Sequence, residues 1–401
     1  MSVITDQDDK TTFIGDVVLS YNKSTPAGNA LLEMNGSVLD EQKYPLLATV
    51  LGSNEQLLGE IPITSTTATG IDQSDDGEHC YLIVGQNLYK YTRSLDSYTL
   101  INSGNGSGAS GEVVCSSDGR YVVYCSGISS STVANCKAYI YTSNDYGQTF
   151  TLTKTMSLTT YSPGFLLATL FMSRNGQNVV VLANDAHGGI INVSTNYGAS
   201  WTTTAKPNGI NGPFESFSIC ATEDTSKIWT KEYNSYNDNS KIIESIDGGA
   251  TWTDSNDLVG GIDEIRIDPY DNNNLIAYRY NSISAFKVSN DGGLTWQRLS
   301  IPSAITRLRI ATIDRGAIFV YGEVTSTDYR FYTSTDGGLT WAENELPVNI
   351  SRFAFKPKRV DGSPLYFVQS NTLHEAQYSS LCKLPKANLL SERIVADEVV
   401  V

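Results

Sequence analysis

The sequence predicts an all-β protein, a seven-bladed β-propeller preceded by a small α+β module. Three observations carry this: an eight-residue box that recurs, a strand-turn-strand run ahead of each copy, and a composition suited to sheet and turn. The chain of 401 residues holds 33 Gly and 23 Tyr, and only 18% of its residues are charged. Such usage favours pleated sheet and tight turns over helix. The length exceeds a typical domain, yet a radial array of sheets accommodates it as one large unit with something small attached.

The box begins at Ser143 (SNDYGQTF), Ser194 (STNYGASW), Ser245 (SIDGGATW), Ser289 (SNDGGLTW) and Ser334 (STDGGLTW), with starts 51, 51, 44 and 45 residues apart. This spacing is too long for a hairpin and suits a four-stranded sheet with its loops. The runs VVCSSDGRYVVYCSG, TLFMSRNGQNVVVLAN, SICATEDTSKIWTKEY, IRIDPYDNNNLIAYRY and LRIATIDRGAIFVYG precede the boxes. Each reads as strand, polar turn, strand, with a third strand leading into the box. Residues 71–101, with SLDSYT in the box position, and 353–381, without a box, match the same register and bring the expected units to seven. Sheets that cannot bury both faces alone are satisfied by radial packing.

Local chemistry accounts for the box. Asp145, Asp247, Asp291 and Asp336 are expected to accept backbone N–H bonds inside the turn, and the glycines supply positive φ. Trp201, Trp252, Trp296 and Trp341 open the outgoing strand and are expected to pack between neighbouring sheets. Asn196 replaces Asp but keeps an acceptor, and Phe150 replaces Trp but keeps a large ring. These boxes resemble the Asp-box, or BNR, repeat of sialidases, some glycoside hydrolases and related propellers. The resemblance implies the fold and is silent on activity, since in those families the box lies on outer turns away from the active site.

Residues 13–52 break the repeat. GDVVLSY reads as a strand, PAGN as a turn, ALLEMNG as a second strand, and DEQKYPLLATVLG as an apolar-faced helix with an acidic first turn. This order resembles the phage tail collar domain, with Gly15, Asp16, Val17, Pro26, Gly28, Leu32, Asn35, Gly36, Tyr44 and Leu47 at the matching positions. Asn29 and Ala30 stand where that family has an aromatic residue, and Met34 where it has a small residue or Cys. The resemblance covers about 40 residues and implies a structural protein of a bacteriophage particle, a tail fibre or receptor-binding appendage assembled in the host cytosol. Residues 1–60 would attach to other virion proteins, the propeller over 61–386 would face outward to a host glycan or protein, and 387–401 form a C-terminal tail. Family members are commonly trimeric in fibres, so a homo-oligomer is expected. The C-terminal SERIVADEVVV is expected to complete a blade or pair with a neighbouring subunit.

A formal net charge of -15 argues against nucleic-acid or anionic-membrane partners, which are bound through Lys and Arg. The six cysteines lack zinc spacing and the three histidines lie far apart, so neither metal nor cofactor is expected. The polar N-terminus lacks a signal h-region, and no apolar run is long enough to insert in a membrane. The thiols are expected to be free.

Sialidase chemistry would need three Arg on the substrate carboxylate, a Tyr nucleophile paired with Glu, and an Asp acid, and the F-R-I-P motif that opens that family's first blade is absent. Strand register places Glu112, Glu264, Arg307 and Arg352 as a charged ring around the channel, which suits mutual pairing better than catalysis. Asp263, Glu264 and Asp268 are close in sequence, whereas a glycosidase acid/base pair must face across a cleft of about 5 to 9 Å. Sugar stacking would fall to Tyr233, Tyr236, Tyr270, Tyr278, Tyr280, Tyr329 and Trp229 in or near the loops of the later blades. The expectation is a non-enzymatic, receptor-binding virion appendage; the alternatives are a carbohydrate-active hydrolase and a purely architectural tail or head protein.

Overall fold

A computed structural model of the chain describes residues 17–19, 30–33, 56–60, 68–84, 87–103, 112–128, 137–157, 168–185, 188–204, 218–232, 241–259, 261–325, 328–344, 364–369, 372–377 and 392–396. The chain divides into a larger unit, 57–360 with 365–374, and a smaller one, 1–56 with 361–364 and 375–401. Apart from one 3-10 turn at Arg93–Leu95, the described elements are all strands.

The larger unit holds six four-stranded antiparallel sheets, each with its strands in sequence order: blade 1 over 68–103, blade 2 over 112–157, blade 3 over 168–204, blade 4 over 219–259, blade 5 over 264–298 and blade 6 over 307–344. The first strands of the blades are Ala68–Gln73, Glu112–Cys115, Ala168–Met172, Ile219–Ala221, Glu264–Asp268 and Arg307–Asp314. From blade 1 to blade 6, successive first strands lie against one another, which makes them the inner wall of a propeller.

The seven blades expected from sequence are corrected to six. Among the described residues, 353–381 contribute Pro364–Gln369 and Thr372–Gln377, which join Gln56–Glu60 in a three-stranded sheet. This segment lacks the box that closes the third and fourth strands elsewhere, and its described strands form a hairpin.

Apolar side chains fill the seams between blades. Tyr81, Ile83 and Leu88 of blade 1 meet Val113, Val122 and Tyr124 of blade 2, with Phe150 packed against them. Trp201 packs against the cluster shared by blades 2 and 3, Trp252 against that of blades 3 and 4, Trp296 against that of blades 4 and 5, and Trp341 against that of blades 5 and 6. Every box aromatic therefore lies on the seam with the preceding blade. Trp201 Nε1 donates to Thr153 Oγ1 across its seam at 3.1 Å, and Trp341 Nε1 donates to the Ser300 carbonyl at 3.2 Å. Burying one large ring per seam supplies much of the non-directional stabilisation that a sheet cannot obtain by itself.

The box turns share one hydrogen-bond scheme. Ser334 Oγ donates to Asp336 Oδ1 at 2.8 Å and accepts from Gly338 N at 2.7 Å, while Asp336 accepts from Thr340 N at 2.9 Å and from Thr340 Oγ1 at 2.5 Å. The turns at Asp145, Asp247 and Asp291 repeat these bonds. At Asn196 the carbonyl oxygen accepts from Ser200 N at 2.9 Å and the amide donates to Ser200 Oγ. Gly338 sits at φ +88°, and a Cβ there would also run into Leu299.

A second repeat governs the turns between the first and second strands. Ser74, Ser116, Ser173 and Thr222 donate to Asp76, Asp118, Asn175 and Asp224 at 2.6, 2.5, 2.8 and 2.6 Å. Each hydroxyl also accepts the backbone N–H five residues on, from His79, Tyr121, Asn178 and Lys227. These are short Ser/Thr-x-Asp/Asn turns that cap the inner hairpins.

In the smaller unit, Glu392–Ala396 lies between Val17–Leu19 and Ala30–Glu33, antiparallel to both, with Ile394 opposite Val17 on one side and Leu32 on the other. The C-terminal segment, expected to complete a blade or meet another subunit, instead fills the gap between two short N-terminal strands and satisfies both of its edges. The helix expected within 40–52 lies outside the described residues.

Candidate functional site in the central channel

Because the first strand of each blade is innermost, its side chains alternate between the two faces of the blade at the rim of the channel. The channel contains a cavity of about 110 Å³ walled by Val114, Leu170, Phe171, Ile267 and Ile313, with Asp72, Glu223 and Arg266 as its charged members.

The inner-wall carboxylates hold the blades together. Asp72 Oδ2 accepts from Cys115 N at 2.8 Å, joining blades 1 and 2, and Glu112 Oε2 accepts from Leu170 N at 2.6 Å, joining blades 2 and 3. Glu223 Oε2 accepts from Arg174 N at 2.7 Å, joining blades 4 and 3, and Asp268 Oδ2 accepts from Gly316 N at 2.6 Å, joining blades 5 and 6. Between blades 4 and 5 Ser218 takes this part, donating to the Ile265 carbonyl and accepting from Ile265 N. Charge-assisted bonds of this kind are about twice as strong as neutral ones.

The two ends of the channel differ. At the inner-turn end, the middle residues of the hairpin turns converge. Asp75 of blade 1 pairs with Arg174 of blade 3 at 2.5 Å and accepts from the Tyr270 hydroxyl of blade 5 at 2.9 Å. The guanidinium groups of Arg174 and Arg315 lie 3.8 and 4.2 Å from the Tyr270 ring centroid. Blades 1, 3, 5 and 6 are thus tied across the axis by one acid, one phenol and two cations. Burial, the largest cause, and the Asp75 charge raise the Tyr270 hydroxyl, which the Arg315 guanidinium opposes.

At the strand-start end, Glu264 is buried, with Tyr280 donating to Oε1 at 2.8 Å and Arg266 at 2.7 Å from Oε2. Burial raises the Glu264 carboxyl, and the Arg266 charge and Tyr280 bond pull it back down. Burial and the Glu264 charge push the Tyr280 hydroxyl well above its ordinary value, so it stays protonated and makes a poor nucleophile. Nearby, Lys231 Nζ reaches Asp263 at 2.8 Å, and Arg309 reaches Glu323 at 2.6 Å. Among the described residues, no group of three or more His, Cys, Asp or Glu is placed to hold a metal ion. Four described cysteines, Cys80, Cys115, Cys125 and Cys220, are free and buried, and burial pushes the Cys125 thiol up to about 12.

Of the residues expected to form a channel ring, Glu112 and Glu264 lie within each other's field. Arg307 is 58% exposed and stands 3.9 Å from Glu323, and Arg352 lies outside the described residues. The cation that neutralises Glu264 is Arg266, which sequence reasoning missed. Its position two residues after Glu264 on an alternating strand was the available signal. Among the expected stacking aromatics, Trp229 and Tyr278 are fully buried and offer no face to a sugar. Trp229 instead fills the seam between blades 4 and 5 and donates to Glu244 at 3.2 Å, because its strand is buried on both faces. Tyr270 and Tyr280 are held by the bonds above, Tyr329 stacks on Tyr321 at 5.7 Å, and Tyr233 and Tyr236 lie outside the described residues.

Residues 240–393 match the profile of the Sortilin-Vps10 family (sortilin, neurotensin receptor 3). Among solved structures the chain is similar to the GH74 xyloglucanase from Xanthomonas campestris, with a TM-score of 0.56, 13% identity, and coverage of 80% of this chain and 52% of that one. It therefore spans about half the length of that enzyme. The chain is a β-propeller. The same fold relates it to YCF48 from Cyanidioschyzon merolae, with a TM-score of 0.51, 12% identity, and coverage of 81% and 99%. A chain of the mitotic checkpoint complex matches with a TM-score of 0.53, 14% identity, and coverage of 80% and 93%. At these identities the likeness concerns the propeller fold alone. No curated protein matches the sequence.

Proposed function

We propose that this propeller is a non-catalytic binding module that recognises a surface glycan, and that it is displayed on a bacteriophage particle by the collar-like N-terminal segment. The observation that carries the non-catalytic part is the use of the inner-wall carboxylates. Asp72, Glu112, Glu223 and Asp268 accept backbone N–H bonds from the neighbouring blade, and Glu264 faces Arg266. Acid/base hydrolysis needs two carboxyl groups opposed across a cleft, one of them able to release its proton. Carboxylates held by interblade bonds suit a rigid scaffold, and the paired charges at the strand-start end suit hydroxyl recognition. The collar resemblance supports placement on a virion, with other tail proteins as partners of 1–60.

The test is binding of the full chain to bacterial cells and to their extracted surface glycans, with released reducing sugar assayed in the same tubes. Saturable binding without release is the expected result. Release of sugar would overturn the non-catalytic reading in favour of a hydrolase, and binding to tail proteins without any binding to cells or glycans would favour an architectural role.

A further inference from the structure

At the strand-start end of blade 6, two arginines share one carboxylate. Arg307 opens the inner strand opposite Glu323, Leu308 pairs with Gly322, and Ile310 pairs with Tyr321, so Arg309 is the extra residue of a β-bulge. A bulge re-aims the side chain that it inserts. Arg309 accordingly reaches Glu323 Oε2 at 2.6 Å with one nitrogen and Asn281 Oδ1 of blade 5 at 2.7 Å with another. Asn281 sits in the left-handed region at φ 57° and donates its N–H across the seam to the Leu308 carbonyl at 2.8 Å. The bulge and the left-handed Asn281 thus converge on one guanidinium.

Charge counting sets the chemistry. The Glu323 side chain is only 9% exposed and compensates Arg309, while Arg307 stands 58% exposed at 3.9 Å, the outer limit of an ion pair. Two acids at the same end of the adjoining blade are paired elsewhere, Asp263 with Lys231 at 2.8 Å and Glu264 with Arg266 at 2.7 Å. Among the described residues, Arg307 and Arg309 thus answer to one carboxylate, on a chain whose net charge is -15.

We propose that Arg307, Arg309 and Asn281 form an anion subsite for a carboxylate- or sulfate-bearing sugar, which rests on the glycan-binding reading above. Arg309, fixed by Glu323 and Asn281, presents a preorganised edge, and Arg307 supplies a planar fork that swings onto the anion. Ser284 and Ile283, both exposed beside Asn281, offer a hydroxyl and an apolar face to the sugar ring.

The experiment titrates the full chain with trigalacturonate, its methyl ester, a sulfated galactan oligomer and a neutral galactan oligomer at low ionic strength. The acid or the sulfate ester is expected to bind saturably, and which of the two binds more tightly identifies the anion. The methyl ester is expected to bind at least tenfold more weakly than the acid. Arg307→Gln should lose at least tenfold in affinity at an unchanged Tm, and Arg307→Lys should lose less, since it keeps the charge without the fork. Arg330→Gln, which removes a half-exposed cation paired with Asp328 and Glu343 on another strand, should leave binding unaltered. Equal binding of acid and ester, an indifferent Arg307→Gln, or an equal loss in Arg330→Gln would overturn the subsite. Neutral glycans bound alike by the wild type and Arg307→Gln, with no preference for an anion, would overturn the subsite and leave the binding reading intact. Absence of binding to every glycan would overturn that reading and the subsite with it.

Discussion

Asp336 organises a whole turn with one side chain, and the same acid recurs at Asp145, Asp247 and Asp291. The Thr251, Thr295 and Thr340 hydroxyls, followed by the backbone N–H groups of those threonines, hold the Asp247, Asp291 and Asp336 carboxyls at about 2. A carboxyl depressed in the folded state stabilises above its unfolded value of about 4, and that contribution is lost as pH falls from there through the folded value. The triple variant Asp247→Asn, Asp291→Asn, Asp336→Asn should therefore be less stable than the wild type at pH 7. The difference should shrink between pH 4 and pH 2, as read from Tm at each pH. These turns were legible in the sequence because every bond lies within eight residues. The Ser/Thr-x-Asp/Asn repeat at 74–76, 116–118, 173–175 and 222–224 was equally local and went unread, since its middle residue varies from Asp75 to Ser117, Arg174 and Glu223. Three of those variable residues, Asp75, Arg174 and Glu223, are ones that the fold turns toward the channel.

At the scale of the blade, the seam is the energetic unit. Each box aromatic packs against the cluster shared with the preceding blade, so the sequence element that closes one blade also docks it to the last. Trp252→Ala removes the ring that covers Val180, Leu182, Ile219 and Ile243 at the seam of blades 3 and 4. The expected cost is about 3 kcal/mol, at the lower end for a Trp because the ring is only partly buried. Denaturant unfolding would measure it, and hydrogen exchange should show the largest loss of protection in the strands of blades 3 and 4. The aromatic stacking surface read from the sequence had no such local anchor. Trp229 and Tyr278 lie on strands covered on both faces, and a strand's second face is assigned only by the sheet packed against it.

For the larger unit as a whole, the tie of Asp75, Arg174, Tyr270 and Arg315 joins blades far apart in sequence. Asp75→Asn would leave Arg174, which shares the Tyr270 ring with Arg315, without its carboxylate partner. A loss of about 1 to 3 kcal/mol is expected from removing one partner of a mostly buried charged bond. Repulsion between two cations is screened by salt, so part of the Tm deficit at 50 mM NaCl should be recovered at 500 mM. An equal deficit at both concentrations would mean that packing, not charge, is lost at this site.

The sequence by itself determined the all-β propeller, the positions of five box turns and the Asp or Asn that builds each, because these depend on bonds and periodicities that span a few residues. The tertiary structure decided the number of four-stranded blades, the partner strands of the C-terminal segment, and the pairing of Glu264 with Arg266 and of Arg309 with Glu323 and Asn281. Strand pairing at the ends of a repeat, and the facing of charges across a channel, depend on which distant segments meet. Local chemistry specifies each turn, and only the radial packing of the sheets brings the inner-turn charges of Asp75, Arg174 and Arg315 to a common axis.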